Sequence, residues 1–119
     1  HFRKIERHAL EEVLEIDNAL IAMGGGTPCF YDSMKLINEC SFSIYLQVST
    51  QILVDRLSNQ RQTRPLLSDL KNTEFGSFIE REVAKRSPYY EQADLILKDK
   101  AIEDAISIIK KRHKNFVKL

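Results

Sequence analysis

The residues able to do chemistry are a few arginines, one glutamate and a run of three glycines. They are Arg3 with Glu6 three positions on, Gly24-Gly25-Gly26, Arg64 before Pro65-Leu66-Leu67, and Arg86 within Lys85-Arg86-Ser87-Pro88-Tyr89-Tyr90. A planar guanidinium fork meets a carboxylate or a phosphate through two parallel hydrogen bonds. Glycines at the carboxyl end of a strand let a ligand approach bare backbone N–H groups, with a helix N-terminus alongside. Each feature also has a plainer explanation. The glycines could form only a flexible strand-to-helix turn. Glu6 could pair with Arg3 on a helix face for about 0.2–0.5 kcal/mol, and Arg86 could complement the dipole at a helix end.

The flanking segments say what must position these residues. Ala19 to Met23 is an apolar run of strand length, expected as a short buried strand, and the glycines follow it directly. Thr27 and Pro28 then read as an N-cap and a first helical residue. Upstream, Phe2, Ile5, Ala9, Leu10, Val13, Leu14 and Ile16 recur at helical spacing with charged residues between them. Downstream, the pattern predicts a helix from Phe30 to about Asn38, a strand from Ser41 to Val48, and a helix over Gln51–Ser58 capped by Ser49-Thr50. A further helix is expected from Thr73 to Arg86, interrupted by Pro88, with one short turn at Tyr89–Gln92. A strand at Ala93–Leu97 and a helix at Ala101–His113 complete the set. The stretch of about 59–72 is polar and basic at its start, cannot build core, and is read as an exposed, mobile loop suited to cover a phosphate. Helices alternating with strands predict an α/β fold with a parallel sheet.

Bulk properties narrow the function classes. A chain of 119 residues fits one domain over 1–119. Eighteen basic residues against seventeen acidic ones leave a formal net charge of +1, which points to neither nucleic acid nor an anionic membrane surface as partner. No apolar run approaches bilayer length. Cys29 and Cys40 form no CxxC pair, and two free thiols in a reducing, cytoplasmic setting are expected. His1, His8 and His113 are scattered, so no metal ligand set is read in the chain. The basic tail around Lys110-Lys111-Arg112 is read as a solvated helix end.

Taken in order and spacing, Phe2-Arg3-x-x-Glu6, Gly24-Gly25-Gly26, Arg64-Pro65-Leu66-Leu67 and Lys85-Arg86-x-Pro88-x-Tyr90 strongly resemble shikimate kinase. The resemblance runs over nearly the whole chain. It implies a P-loop kinase fold of the nucleoside monophosphate kinase type, a three-layer sandwich with a parallel sheet of strand order 2-3-1-4-5. It implies transfer of the γ-phosphoryl group of ATP, with Mg²⁺, to the 3-hydroxyl of shikimate on the route to chorismate. By the same resemblance, Arg3 and Arg86 grip the shikimate carboxylate and Glu6 orients Arg3. Gly25, with Gly24 and Gly26 beside it, offers backbone N–H to the substrate. Arg64, in the lid, reaches the transferring phosphoryl group and the nucleotide, and Arg56 falls near the family's adenine-side arginines. The complete protein is expected to be a monomer.

The departures are as informative. The chain contains no G-x-x-x-x-G-K-S/T, and it lacks the family's early aspartate pair. The strands expected here correspond to the third, fourth and fifth of the family, so the fold class is a P-loop kinase lacking its first two strands. The family's first strand lies between the third and the fourth. Its removal would separate these two by roughly 9–10 Å and leave buried backbone groups unpaired. The chain is therefore expected neither to fold alone nor to bind ATP productively without a preceding segment. The alternative is a non-catalytic, shikimate-kinase-like binding module without a P-loop. A gluconate-type kinase of the same superfamily is disfavoured by the pairing of Arg3 with Arg86.

Overall fold

The computed structural model describes residues 1–58, 72–99 and 102–114. Helix α1 spans Phe2–Val13, and a single 3₁₀ turn covers Thr27–Cys29. Helix α2 (Ser33–Cys40), strand β1 (Ile44–Gln47), helix α3 (Thr50–Ser58), helix α4 (Asn72–Tyr90), strand β2 (Leu95–Lys98) and helix α5 (Ile102–Lys114) follow. The two strands pair in parallel, Ile44 opposite Leu95 through Gln47 opposite Lys98. Parallel strands need a long crossover, and α3 and α4 provide it.

Two apolar clusters carry the packing. Leu10, Met34 and Ile37 are buried together, with Val13, Leu14, Met23 and Leu36 against them; this joins α1 to α2. Phe75 and Ile79 on α4 are buried against Leu53, Val54 and Leu57 on α3. In β2 the side chains of Leu95 and Leu97 are buried and Lys98 is exposed. The ends of the strand pair are tied by side chains. Asp94 accepts from the Ser43 backbone N–H at 3.0 Å, and Asp99, at φ 44°, accepts from the Ser49 N–H at 2.8 Å.

Several expectations are corrected. Ala19–Met23 is not a strand: it has no ladder partner among the described residues, and Leu20 is 99% exposed. A strand needs a neighbour for its N–H and C=O groups, and β1 pairs only with β2. Met23 alone of this run reaches the first apolar cluster. The stripe of the first helix is likewise only partly used. Leu10 is buried, but Phe2, Ile5 and Ile16 remain more than half exposed, and the helix stops at Val13. Thr27 is not an N-cap: Gly26 holds that place for the 3₁₀ turn, and the longer helix starts at Ser33 after a tight turn. Pro88 does not interrupt α4. The helix runs on through it to Tyr90, although proline cannot supply the N–H that would bond the Ala84 carbonyl, and the Ser87 hydroxyl donates to the Val83 carbonyl at 2.7 Å beside it. The loop expected at about 59–72, with Arg64, lies outside the described residues, apart from the backbone of Asn72 at the start of α4.

Among the described residues no helix is long and apolar enough to cross a membrane.

Candidate anion-binding site at the glycine triplet

The first arm of the site is built on α1. Arg3 and Glu6 are three residues apart, so they share a helix face, and Arg3 Nη1 donates to Glu6 Oε1 at 2.7 Å. The second carboxylate oxygen of Glu6 accepts from the Thr27 hydroxyl at 2.8 Å. Glu6 is thereby held between its own helix and the 3₁₀ turn. Burial pushes its carboxyl up, but the hydrogen bonds from Arg3 and Thr27, with the charge of Arg3, outweigh this and leave it below the ordinary value of 4.5. The Arg3 guanidinium carbon also sits 4.3 Å from the centre of the Phe30 ring, a cation–π contact that fixes its plane.

The second arm comes from α4. Arg86 and Tyr90 are four residues apart on one helix, and the Arg86 guanidinium and the Tyr90 hydroxyl both lie against Gly25. That hydroxyl donates to the Gly25 carbonyl. The Tyr90 ring leans on Tyr45 of β1, 5.1 Å between centroids. Burial raises the phenol above its ordinary 10.0, although Arg86 pulls the other way. Tyr90 therefore remains a hydroxyl donor throughout the neutral range.

The glycines lie between these arms. A methyl group on Gly25 would fall 2.6 Å from Arg86 Nη1 and 3.2 Å from the Tyr90 oxygen. One on Gly26 would fall 2.6 and 2.7 Å from the two terminal nitrogens of Arg3. At Gly24 it would meet only Thr27 Oγ1, at 3.4 Å. None of the glycines has a positive φ. At Gly25 and Gly26 the absence of a side chain therefore makes room for the guanidinium ends, and backbone conformation sets no demand. The carbonyls of Gly24 and Gly26 close the turn by accepting from Thr27 N–H (3.2 Å) and Cys29 N–H (3.0 Å). Among the described residues the N–H groups of Gly25 and Gly26 donate to nothing.

The structure thus brings together Arg3, Glu6, Gly25, Gly26 and Arg86. Two guanidinium groups from distant helices lie against neighbouring glycines, with one carboxylate beside the first. This arrangement can take a small anion from two sides. Arg56 is exposed in the last turn of α3 and takes no part in these contacts. Among the described residues no group of three or more His, Cys, Asp or Glu side chains could hold a metal ion. Cys29 lies close to both arms, and its thiol donates to the Gly25 carbonyl at 3.8 Å. Burial raises its pKa above the ordinary 9.0 against the pull of Arg86 and Arg3, so it stays a thiol and not a nucleophile.

Three members of this site carry no role in the sequence reading. Thr27 was assignable only as a cap. Phe30 was assignable only as a helix start. Tyr90 was part of a motif without a task. For Tyr90 the signal was its position four residues after Arg86, which puts both on one face of a helix that continues through Pro88.

Comparison with known proteins agrees with this architecture. A family model described as shikimate kinase matches residues 1–116. A shikimate kinase of Phocaeicola vulgatus is 39% identical over 103 residues, which are 87% of this chain and 59% of that protein. One from Bacteroides thetaiotaomicron is 40% identical with the same coverage. The chain therefore spans about three-fifths of the length of these curated relatives. The crystal structure of a shikimate kinase from Bacteroides thetaiotaomicron superposes with a TM-score of 0.81 at 34% identity, over 95% of this chain and 66% of the other. That neighbour has the P-loop kinase fold, and the α/β arrangement described above is part of it. The chain belongs to the shikimate kinase family.

Proposed function

We propose that this chain forms the shikimate-binding and lid portion of an enzyme that transfers the γ-phosphoryl group of ATP to the 3-hydroxyl of shikimate, giving shikimate 3-phosphate and ADP. The phosphate loop, absent from the sequence, would come from residues outside it. The observation that supports this reading most strongly is the pair Arg3 and Arg86, drawn from α1 and α4 onto adjacent glycines. Two guanidinium groups around one carboxylate give both geometric match and charge balance. The N–H groups of Gly25 and Gly26, which donate to nothing among the described residues, add neutral donors beside them.

In this reading the chain's own residues orient the acceptor. Arg3, fixed by Glu6 and Phe30, and Arg86, beside Tyr90, hold the carboxylate and so set where the ring hydroxyls lie. The 3-hydroxyl oxygen forms the new bond to phosphorus as the bond to the ADP oxygen breaks, and the hydroxyl proton passes to an oxygen of the transferred phosphate and from there to solvent. Little covalent help is needed in such a step. Positioning and positive charge on the equatorial oxygens dominate. Arg64 is assigned to that charge, from a lid of about 59–72 that also excludes water. Arg56 is assigned to the nucleotide side. Mg²⁺ would supply further charge neutralisation. The described side chains hold no cluster for it, so its ligands would lie elsewhere. A cytoplasmic monomer is the expected setting.

The test is calorimetric titration of the complete enzyme carrying Arg3→Met or Arg86→Met. Shikimate affinity should fall on the order of 100-fold, as for the loss of one partner of a desolvated charge pair. ATP affinity should stay within about twofold. Equal loss of both affinities, or none for shikimate, overturns the assignment. Shikimate binding without any phosphoryl transfer would favour the alternative, a non-catalytic binding module.

A further inference from the structure

Arg7 stands four residues after Arg3 on α1, and its guanidinium crosses to the segment that follows the 3₁₀ turn. Its Nη1 donates to the Tyr31 carbonyl at 2.6 Å and to the Ser33 hydroxyl at 3.1 Å. Its Nε donates to Glu11 at 3.0 Å, which sets the direction of the fork. Ser33 is 2% exposed, so this end of the contact is sealed.

The segment it reaches is conformationally costly. Ser33 N–H donates to the Phe30 carbonyl at 3.0 Å, which closes a four-residue turn over Phe30, Tyr31, Asp32 and Ser33. Both central residues are left-handed, Tyr31 at φ 54° and Asp32 at φ 55°. This is the mirror-image type I turn, whose central positions favour Gly, Asn or Asp. Asp32 suits it. Tyr31 does not, since its Cβ crowds the carbonyl in that conformation. A turn with the wrong residue persists only where its surroundings over-determine it. Arg7 is the group that grips the Tyr31 carbonyl.

The turn matters because of the residue that opens it. Phe30 enters extended, at φ −129° and ψ 152°, and its ring lies over the Arg3 guanidinium. If the turn relaxed, Phe30 would leave its place and Arg3 would lose the surface that fixes its plane. We infer that Arg7 is a positioning residue for the substrate carboxylate: by holding the strained Tyr31–Asp32 turn, it keeps Phe30 over Arg3. The inference rests on the reading of Arg3 as a carboxylate ligand. Arg7 itself touches no substrate.

The experiment is steady-state kinetics on the complete enzyme with Arg7→Met, Tyr31→Gly and the double variant, with Arg3→Met as control. Arg7→Met should raise the shikimate KM about tenfold, as expected for a displaced binding group, and leave the ATP KM and kcat within about twofold. Tyr31→Gly removes the steric reason for the turn's cost. Alone it should behave like the wild type, and in the double variant it should return the shikimate KM to within about twofold of it. If Arg7→Met does not yield folded protein, the double variant is expected to fold and gives the same reading. A lowered melting temperature with unchanged shikimate KM overturns the inference. So does a raised KM that Tyr31→Gly does not recover. If Arg3→Met raises the shikimate KM and Arg7→Met does not, only the role of Arg7 falls. If Arg3→Met leaves it unchanged, the carboxylate assignment falls and takes this inference with it.

Discussion

The hydroxyl of Tyr90 donates to the carbonyl of Gly25 with the Arg86 guanidinium beside the same glycine, so one side chain on α4 fixes the peptide between Gly25 and Gly26 next to an arginine. In a trans peptide the N–H lies opposite the carbonyl, and no cis bond is present among the described residues. Anchoring the Gly25 carbonyl on Tyr90 therefore turns the Gly26 N–H away from α4.

Tyr90→Phe should expose this coupling. It removes one hydrogen bond at a half-buried position, so about 1 kcal/mol is at stake, or roughly fivefold in shikimate affinity. Isothermal titration of the complete enzyme measures it, and ATP affinity serves as the control. No change in shikimate affinity would mean that Arg86 and the glycine peptide keep their places without the phenol.

The glycines should differ from one another on substitution by alanine. Gly24→Ala meets only ordinary contact and should leave the melting temperature and shikimate affinity almost unchanged. Gly25→Ala and Gly26→Ala must push aside guanidinium ends, which are flexible, so their cost should appear in binding more than in folding. Parallel thermal melts and titrations of the three variants check the order. A Gly24→Ala variant that loses as much affinity as Gly25→Ala would contradict it.

The lowered pKa of Glu6 makes a pH prediction. Its folded value lies below 4.5, the ordinary value. The stabilisation from its ionised form is thus fully present above 4.5 and is lost as pH falls through the lower, folded value. The gap in melting temperature between the wild type and Glu6→Gln should stay constant from about pH 7 to pH 5 and close in more acid solution. A gap that widens on acidification would refute the pairing with Arg3 and Thr27.

What was legible in the residues was the part that local chemistry encodes. Arg3 and Glu6 share a helix face by spacing alone, and the glycine triplet is unmistakable. Helices with a partner for their apolar face, such as α3 against α4, also appear where the periodicity places them. Ala19–Met23 shows the limit. An apolar run specifies burial, but a strand exists only with a neighbour, and none is described beside this one. Phe30 and Tyr90 were obscure for another reason. Their tasks depend on a turn and on the continuation of α4 through Pro88, neither of which periodicity reveals.

The same run carries a stability prediction. Leu20 is 99% exposed and of this run only Met23 packs on an apolar cluster, so the run contributes little burial toward a whole-domain stability of about 5–15 kcal/mol. Residues 1–119 as a purified polypeptide should therefore show no cooperative thermal transition by circular dichroism. A sharp monomeric melt would show that the sheet closes without further strands, and would favour the binding module.

The pair of arginines with one glutamate also has an arithmetic of its own. Arg3, Glu6 and Arg86 sum to a single fixed positive charge. A ligand bearing one negative charge makes the occupied site neutral. A dianion leaves it with an excess negative charge that the site's own side chains do not match. On the proposed reading, the brace for Arg3 is thus also a charge match: Glu6 brings the pair of arginines down to the single positive charge that one carboxylate balances.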